Sequence, residues 1–431
     1  MKKEIIKTIV YELHPDSAMR SVLDGLCDYR RWCWNQALAL WNDLYSIRQI
    51  MFDKELKDEL HKPKKERHFT KKQSEIMQDN PAPSWRLIRD TMVEEKADWQ
   101  YQYSAHTLQL AVQDLGKAWQ NFFNKSQPDW GKPKFRSKKA PHQGFKSDQS
   151  KIKDGILYLE RPQGSPVPKE NWKGFRLSET PLSDKFGTVS YFRESGKYYA
   201  AVPYKLPEYA GLSKAGRNTG IDVNVGHFDY AEGKKNVLPK KLKHLYQKIA
   251  HYQRQLARKR KENGRIEGTQ SKNYLKTRTK LQICYRKAGS IQKDLMHKFT
   301  TELVRNYDRI VIEDLDVKGM LMSRVASKGM HRSMFGTFRQ ILEYKCRWYG
   351  RELITADKLY PSTQRCAVCG NVKKGDEKIT LYGNKKHGTK HNEYVCYNEK
   401  CPNYGKTVDR DKNAMLNLLV LAEHPELNKA L

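Results

Sequence analysis

The chain has 431 residues, of which 81 are lysine or arginine and 49 are acidic, so its net charge is +32. An excess of this size predicts a polyanionic partner, with nucleic acid the first candidate and an anionic membrane surface the alternative. No apolar run approaches the length of a membrane span and no signal-peptide core follows Met1, so we expect a cytoplasmic protein without a membrane partner.

The N-terminal half is predicted to combine a β region with a helical insertion. Residues 4–13 are β-branched and roughly alternate in polarity, which predicts a strand. Residues 17–124 carry apolar side chains at helical spacing, apart from a polar, lysine-rich stretch. Residues 125–210 are mostly β, with a hairpin whose turn is Glu194 to Lys197. Because strand 4–13 has no sheet of its own, we expect it to pair within this β region.

The C-terminal half is predicted to form an α/β domain that a cysteine-rich segment interrupts. Two strands joined by a tight turn fall within residues 217–230. The elements expected after them are helices at about 239–262 and 271–307, a strand ending at Glu313, a helix at about 334–350, a strand at 352–356 and a short helix that Asp411 enters.

The eight cysteines fall into two groups. Cys366 and Cys369 form one close pair, and Cys396 and Cys401 form another. Two such pairs in a reducing compartment are typical of four thiolates around one structural Zn²⁺ ion, so we expect one zinc ion here. The remaining cysteines lie in helical patterns and are expected to be buried small hydrophobic residues. They are Cys27, Cys33, Cys284 and Cys346.

Three carboxylates lie at the edges of predicted elements: Asp222, Glu313 and Asp411. Individually, such residues are usually caps or surface charges. Together, three hard oxygen ligands from separate segments suit Mg²⁺, and a site with two Mg²⁺ ions about 4 Å apart can hydrolyse a phosphodiester. The sequence contains no Walker loop, GxGxxG motif or Ser-His-Asp arrangement, so NTP hydrolysis, hydride transfer and acyl transfer lack support.

At these residues the chain resembles the TnpB proteins, transposon-encoded RNA-guided DNA endonucleases related to type V CRISPR effectors. The matching segments, in chain order, are Gly220-Ile-Asp222, Ile312-Glu313-Asp-Leu315, Tyr360-Pro-Ser-Thr-Gln-Arg leading into the four cysteines, and Asp409-Arg-Asp411-Lys-Asn413-Ala. They are similar to the RuvC I, RuvC II, zinc-finger and RuvC III elements of that family. One departure is the tract Val223 to Asp229, where the family usually continues with a glycine and small hydroxyl-bearing residues.

The resemblance implies a multidomain α+β protein. A wedge-like β domain would carry a helical recognition insertion, and a RuvC-like nuclease domain of RNase H fold would be interrupted by the four-cysteine zinc finger. The implied boundaries are 1–15 and 125–212 for the wedge-like domain, 16–124 for the helical domain, 213–360 and 406–431 for the nuclease domain and 361–405 for the zinc finger, which would bind target nucleic acid.

The resemblance also implies RNA-guided cleavage of double-stranded DNA. The partners would be a guide RNA and a target duplex that carries a short target-adjacent motif. Asp222, Glu313 and Asp411 match the catalytic triad of the family and would hold two Mg²⁺ ions. Asp411 is preferred because the metal-binding aspartate of the family precedes x-Asn, which leaves Asp409 to support the helix entry. We expect a monomer.

Two alternative functions stay open. A nuclease-inactive RNA-guided DNA-binding repressor of the same family would be expected to lose triad carboxylates, which this chain keeps. A nuclease or transposase without a guide would need a compact groove-reading module, and none is visible in the sequence. Cationic surfaces are often merely solvated, but the global charge favours phosphate contact at two basic clusters. Their members are Lys132, Lys134, Arg136, Lys138, Lys139, Arg254, Arg258 and Arg260.

Overall fold

The computed structural model describes residues 4–124, 131–140, 142–208, 211–261, 271–314, 334–380 and 382–429. It contains two compact units, residues 1–207 and 208–431. The four predicted domains are a finer division, which stays a prediction. Leu315 of the second motif and the side chain of Arg260 lie outside the described residues. Within the described ranges, no helix is both long and apolar enough to cross a membrane.

The first unit contains a four-stranded antiparallel sheet in the order β1-β7-β6-β2. Its strands are β1 (Glu4–Leu13), β2 (His142–Ser147), β6 (Val189–Glu194) and β7 (Lys197–Pro207), and a smaller sheet joins β3 (Lys151–Lys153), β4 (Ile156–Tyr158) and β5 (Phe175–Arg176). The predicted pairing of the first strand with the later β region is confirmed, because β1 pairs along its whole length with β7. The predicted hairpin is also confirmed, and Ser195 and Gly196 at its turn both have positive φ, as a tight two-residue turn requires.

The helices of this unit lie between β1 and β2 in the sequence. They are α1 (Ser17–Glu55), α2 (Lys57–His61), α3 (Lys71–Asp79), α4 (Trp85–Glu94) and α5 (Ala105–Phe123). Asp16 caps the first of them, because its side chain accepts a hydrogen bond from the backbone of Met19. Buried indoles of Trp34, Trp41 and Trp119 pack α1 against α5 in one core. The predicted helical insertion is therefore a packed helical layer with its own core.

The second unit is built on a five-stranded mixed sheet in the order β10-β9-β8-β11-β12. Its strands are β8 (Asn218–Asn224), β9 (His227–Tyr230), β10 (Gly233–Asn236), β11 (Arg309–Glu313) and β12 (Glu352–Ala356). β11 pairs in parallel with β8 and with β12, whereas β8, β9 and β10 pair antiparallel. The predicted strands are confirmed, and β10 was not predicted.

Helices of this unit pack against the sheet and against one another. They are α6 (Lys240–Lys261), α7 (Lys272–Asn306), α8 (Phe335–Tyr349) and α9 (Arg410–Glu423), and a short pair of strands, β13 (Glu393–Val395) and β14 (Thr407–Asp409), leads into α9. Helices α7 and α8 cover one face of the sheet and α9 covers the other, whereas α6 packs against α7. Ile310 and Ile312 pack in a core with α7 and α8, whereas Val311 packs with α9. Burial on both faces explains the uninterrupted apolar run of β11.

Strand alternation decides which side chains face α9. Ile221 packs in the core with α7 and α8, so its neighbours Gly220 and Asp222 lie on the α9 face of β8. At Gly220 a Cβ atom would collide with the backbone carbonyl of Met415, so α9 can approach the strand only because this residue is glycine. By the same alternation, Glu313 lies on the α9 face of β11, one strand away from Asp222.

Candidate metal centres

Asp222, Glu313 and Asp411 meet at one place on the sheet. Asp222 lies on β8 and Glu313 ends the neighbouring parallel strand β11, both on the same face of the sheet. Asp411 lies in the first turn of the helix that covers that face. Asp222 is 6% exposed. Burial, and after it the charges of Glu313 and Asp411, raise the pKa of its carboxyl to about 8. Three carboxylates placed so close together favour a bound cation over the empty site.

The carboxylates of Asp222 and Glu313 each have one oxygen that is oriented by a hydrogen bond. The side-chain amide of Asn224 donates to Oδ2 of Asp222 at 2.6 Å. The hydroxyl of Ser362 donates to Oε1 of Glu313 at 2.5 Å. Burial raises the pKa of Glu313, although the Ser362 hydrogen bond opposes it. One oxygen of each carboxylate is therefore fixed, which orients the other for a ligand.

Asp409 and Asp411 have different places at the start of α9. The carboxylate of Asp409 accepts hydrogen bonds from the backbone N–H groups of Asp411 and Lys412, at 2.9 and 3.0 Å. Burial acts to raise its pKa, but these bonds and Lys234 lower it overall. The prediction that Asp409 supports the helix entry is confirmed. The side chain of Asp411 contacts only the guanidinium of Arg410, at 3.2 Å, and His227, at 3.7 Å, among the ion pairs of the described residues.

The hairpin of β8 and β9 brings further polar residues to this place. Asp229 is directly opposite Asp222 and is 4% exposed, and Asn224 bridges the two carboxylates. Nε2 of His227 lies 3.1 Å from Oδ2 of Asp229 and 3.7 Å from Oδ2 of Asp411. In the sequence, residues 223–229 are distinguished only as a departure from the family pattern. That departure was the available signal, because it places Asn224, His227 and Asp229 shortly after Asp222.

The four clustered cysteines form the second centre. Their sulfur atoms all lie within 4.8 Å of one another. Sγ of Cys366 is 3.8 Å from that of Cys401, and Sγ of Cys369 is 3.7 Å from that of Cys396. Sulfur atoms at the corners of a tetrahedron with bonds of about 2.3 Å are about 3.8 Å apart. The donors and their spacing therefore fit one tetrahedral metal ion.

The four cysteines outside this centre, Cys27, Cys33, Cys284 and Cys346, are all buried, as predicted.

Comparison with known proteins supports the resemblance from two directions. Residues 201–324 match a family model described as a probable transposase, OrfB_IS605, and residues 335–418 match the Cas12f1-like TNB domain. The chain is 28% identical over 323 residues to a putative RNA-guided DNA endonuclease of Streptomyces pristinaespiralis, a match that covers 73% of this chain and 71% of that protein. These matches support the resemblance to the TnpB family.

Two further relatives support the same resemblance. The putative RNA-guided DNA endonuclease InsQ of Escherichia coli (strain K12) is 26% identical over 295 residues, which cover 65% of this chain and 69% of InsQ. The TnpB-like protein L79 of Acanthamoeba polyphaga mimivirus is 29% identical over 265 residues, covering 58% of this chain and 46% of L79. The two family models together include all three carboxylates and all four clustered cysteines.

Helix α9 connects the two candidate metal centres. Asn413, two residues after Asp411, donates from its side-chain amide to the carbonyl of Arg365 at 2.7 Å and accepts from the backbone N–H of Ala367 at 3.0 Å. Both partners flank Cys366. The Asp-x-Asn motif therefore places a carboxylate at one centre and a clamp on the first cysteine turn at the other.

The basic segment predicted to contact nucleic acid is exposed and non-helical, as its proline and glycine indicate. Several of its side chains have partners within the protein. The guanidinium of Arg136 lies 3.9 Å from the ring centroid of Trp34, and the ammonium of Lys132 lies 5.6 Å from that of Trp119. Lys138 lies 3.6 Å from Asp28. The other members, Lys134 and Lys139, are exposed, as are Arg254 and Arg258 on α6.

Proposed function

We propose that the chain is an RNA-guided DNA endonuclease, which binds a guide RNA, recognises a short target-adjacent motif and cleaves matched double-stranded DNA. The observation that carries this proposal is the cluster of Asp222, Glu313 and Asp411 on one face of the sheet. Two bacterial relatives named as putative RNA-guided DNA endonucleases support it, and so does the net charge of +32.

The residues present fit divalent cations at this cluster. The donors are all carboxylate oxygens, which Mg²⁺ prefers. Burial, and after it the negative charges of Glu313 and Asp411, raise the pKa of Asp222, and a bound cation would oppose both effects. Bound Mg²⁺ would supply an activated water and charge stabilisation for phosphodiester hydrolysis. Asp222 and Glu313 would act as ligands in fixed orientations, because Asn224 and Ser362 each hold one of their oxygens. The start of α9, which Asp409 caps, would fix the position of Asp411.

At the four cysteines we propose one structural Zn²⁺ ion. Four thiolates complete a tetrahedral shell, so no open position is left for a substrate. Lys373 is buried in this segment, 3.8 Å from the ring centroid of Tyr397, and a buried cation there offsets the negative charge of the thiolates. We also propose that the mixed sheet is the RuvC-like, RNase H-fold nuclease domain, interrupted by this zinc finger, and that the first unit comprises the wedge-like and helical recognition domains.

The proposal is tested first through the RNA. The chain should co-purify with one discrete RNA when it is expressed together with the DNA that flanks its gene. Binding should weaken steeply with salt, because phosphate contacts release counterions. Sequencing of the bound RNA checks this, and RNA of random sequence would contradict a dedicated guide.

The second test is cleavage. With Mg²⁺ and its guide, the protein should cut a plasmid that carries a matched target beside a randomised flanking sequence. The products should have 5′-phosphate and 3′-hydroxyl ends. A protein that binds matched plasmids but never cuts them beside any flanking sequence would be the guided repressor instead.

A further inference from the structure

His227, Asp229 and Asp411 converge on a point beside the proposed Mg²⁺ ligands. One donor atom from each lies within 4.8 Å of the others. Asp411 belongs to both groups, whereas His227 and Asp229 have no counterpart in the resemblance to the TnpB family. Their place in the sequence is the tract after Asp222 that departs from the family pattern.

The contact between His227 and Asp229 is close but is not a hydrogen bond. Nε2 of His227 is fully buried and has no hydrogen-bond partner among the described residues, although Oδ2 of Asp229 is only 3.1 Å away. The two atoms are close, but their geometry does not meet the requirements of a hydrogen bond. This arrangement is unfavourable for a simple ion pair, because a buried ring nitrogen without a partner costs free energy.

The same distances suit two ligands of one ion. Ligand atoms with metal bonds of about 2.1 Å are about 3.0 Å apart at a right angle and about 3.6 Å apart at about 120°. The observed separations from Nε2 are 3.1 Å to Asp229 and 3.7 Å to Asp411. An ion between the three side chains would give the orphaned nitrogen its partner.

The donor set also indicates which ion. Two carboxylates with one imidazole favour a first-row transition-metal dication over Mg²⁺, which prefers oxygen donors alone. We propose that His227, Asp229 and Asp411 form a mixed nitrogen–oxygen site for such a dication, next to the all-oxygen Mg²⁺ site and sharing Asp411 with it. The use of this ion in cleavage rests on the proposed function, but its binding does not.

The competing explanation is an ion-pair network without a metal. The ammonium of Lys234 lies 3.5 Å from Oδ1 of Asp229 and 3.3 Å from Oδ2 of Asp409. Lys234 is half exposed, and it approaches the opposite oxygen of Asp229 from the one that faces His227. It can therefore neutralise Asp229 without occupying the point where the three donor atoms converge.

The test uses Mn²⁺ as the probe and the zinc-loaded full chain, freed of nucleic acid and dialysed against excess Mg²⁺. The wild-type protein should retain one Mn²⁺ ion, whose spin-echo spectrum shows coupling to an imidazole nitrogen. His227→Phe keeps a ring but removes the nitrogen, and Asp229→Asn keeps the shape but removes the charge. Each should abolish the nitrogen coupling or weaken Mn²⁺ binding about tenfold or more.

Two controls separate this site from others. Glu313→Ala removes a ligand of the Mg²⁺ site only, so it should leave Mn²⁺ binding and the nitrogen coupling unchanged. His424→Phe removes another histidine beside a carboxylate, Glu426 at 3.1 Å, and should also have no effect. If Asp229→Asn fails to fold, His227→Phe decides, since the His227 side chain is 32% exposed.

Absence of nitrogen coupling in the wild type, or unchanged Mn²⁺ binding by His227→Phe, would overturn the site and leave the ion-pair network. A wild-type protein that binds Mn²⁺ as expected but never cuts DNA would contradict the proposed function alone.

Discussion

The cysteine centre and the carboxylate centre share a helix but are built in opposite ways. Four identical cysteine side chains would close one shell around the proposed zinc ion, and each close pair comes from a single local turn, such as the one from Cys366 to Cys369. The carboxylates come from two strands and a helix that are far apart in the sequence. In Asp222 and in Glu313, one carboxylate oxygen accepts the orienting hydrogen bond and the other oxygen is left for a ligand. A closed shell can only stabilise the fold, whereas an open one can accept water and phosphate.

This contrast predicts different consequences when a ligand is lost. Removing a thiolate should cost stability, and removing a carboxylate should cost cleavage with little cost in stability. The following substitutions test that division.

Asp411→Ala should lower the rate of guided cleavage about a thousandfold or more, because a catalytic metal contributes several kcal/mol to transition-state stabilisation. Asp409→Ala should be much milder, because it removes only a helix cap worth about 1 kcal/mol. Single-turnover cleavage of a matched duplex measures both. An inactive Asp409→Ala beside an active Asp411→Ala would mean that the metal ligand in this motif is misassigned.

Cys396→Ser should release the zinc ion and destabilise the protein by several kcal/mol, since a structural zinc contributes on the order of 10 kcal/mol to the folding of a finger. Metal analysis and thermal unfolding measure the two effects. Cys284→Ser is the matched control, because Cys284 is buried in α7 away from the cluster and should leave zinc content intact. Full zinc content in Cys396→Ser would contradict the closed shell.

Asp222→Asn should stabilise the metal-free protein while it abolishes cleavage. The folded protein raises the pKa of Asp222 from 3.8 to about 8, so the unfolded chain ionises first and stability falls as pH rises between those values. An amide cannot ionise, so the variant avoids a cost on the order of a few kcal/mol near pH 7. Thermal unfolding in the presence of a Mg²⁺-selective chelator should show the gain at pH 7 and none below pH 4, limits which follow from the same two pKa values. A less stable variant at pH 7 would contradict the electrostatic account.

Asn413→Ala should affect both centres modestly, because it removes the clamp between α9 and the first cysteine turn. The expected loss is about 1–3 kcal/mol of stability, with slower cleavage and faster zinc release to a chelator. Asn428 makes a similar pair of hydrogen bonds to Thr355 and Asp357. Asn428→Ala should therefore lose comparable stability without faster zinc release. Equally fast zinc release by both variants would contradict the idea that Asn413 couples the two centres.

Much of this architecture follows from local patterns in the sequence. The cysteine pairs were predictable because each lies in one short turn, and the apolar run before Glu313 predicts a strand buried on both faces. The pairing of β1 within the later β region could be inferred because the first strand had no nearer partner, although its particular partner, β7, was not predicted. The three carboxylates could also be located in advance, because each lies at the edge of an element that the local pattern predicts. Their roles stay predictions.

The surroundings of the carboxylates could not be predicted in the same way. Asn224, His227 and Asp229 come together through the register of a hairpin and its distance from α9, which depend on packing at Gly220. Ser362 reaches Glu313 only after the chain returns from β12. The basic segment differs again: its charge was visible, but the contact of Arg136 with Trp34 requires tertiary structure.

The most direct test of the central claim measures binding and cleavage of one matched duplex in parallel, for the wild-type protein and for Glu313→Ala. Both proteins carry the same guide RNA, and the assay contains Mg²⁺. We expect equal binding by the two proteins and cleavage by the wild type alone. Cleavage by Glu313→Ala at the wild-type rate, or binding by the wild type without any cleavage, would contradict it.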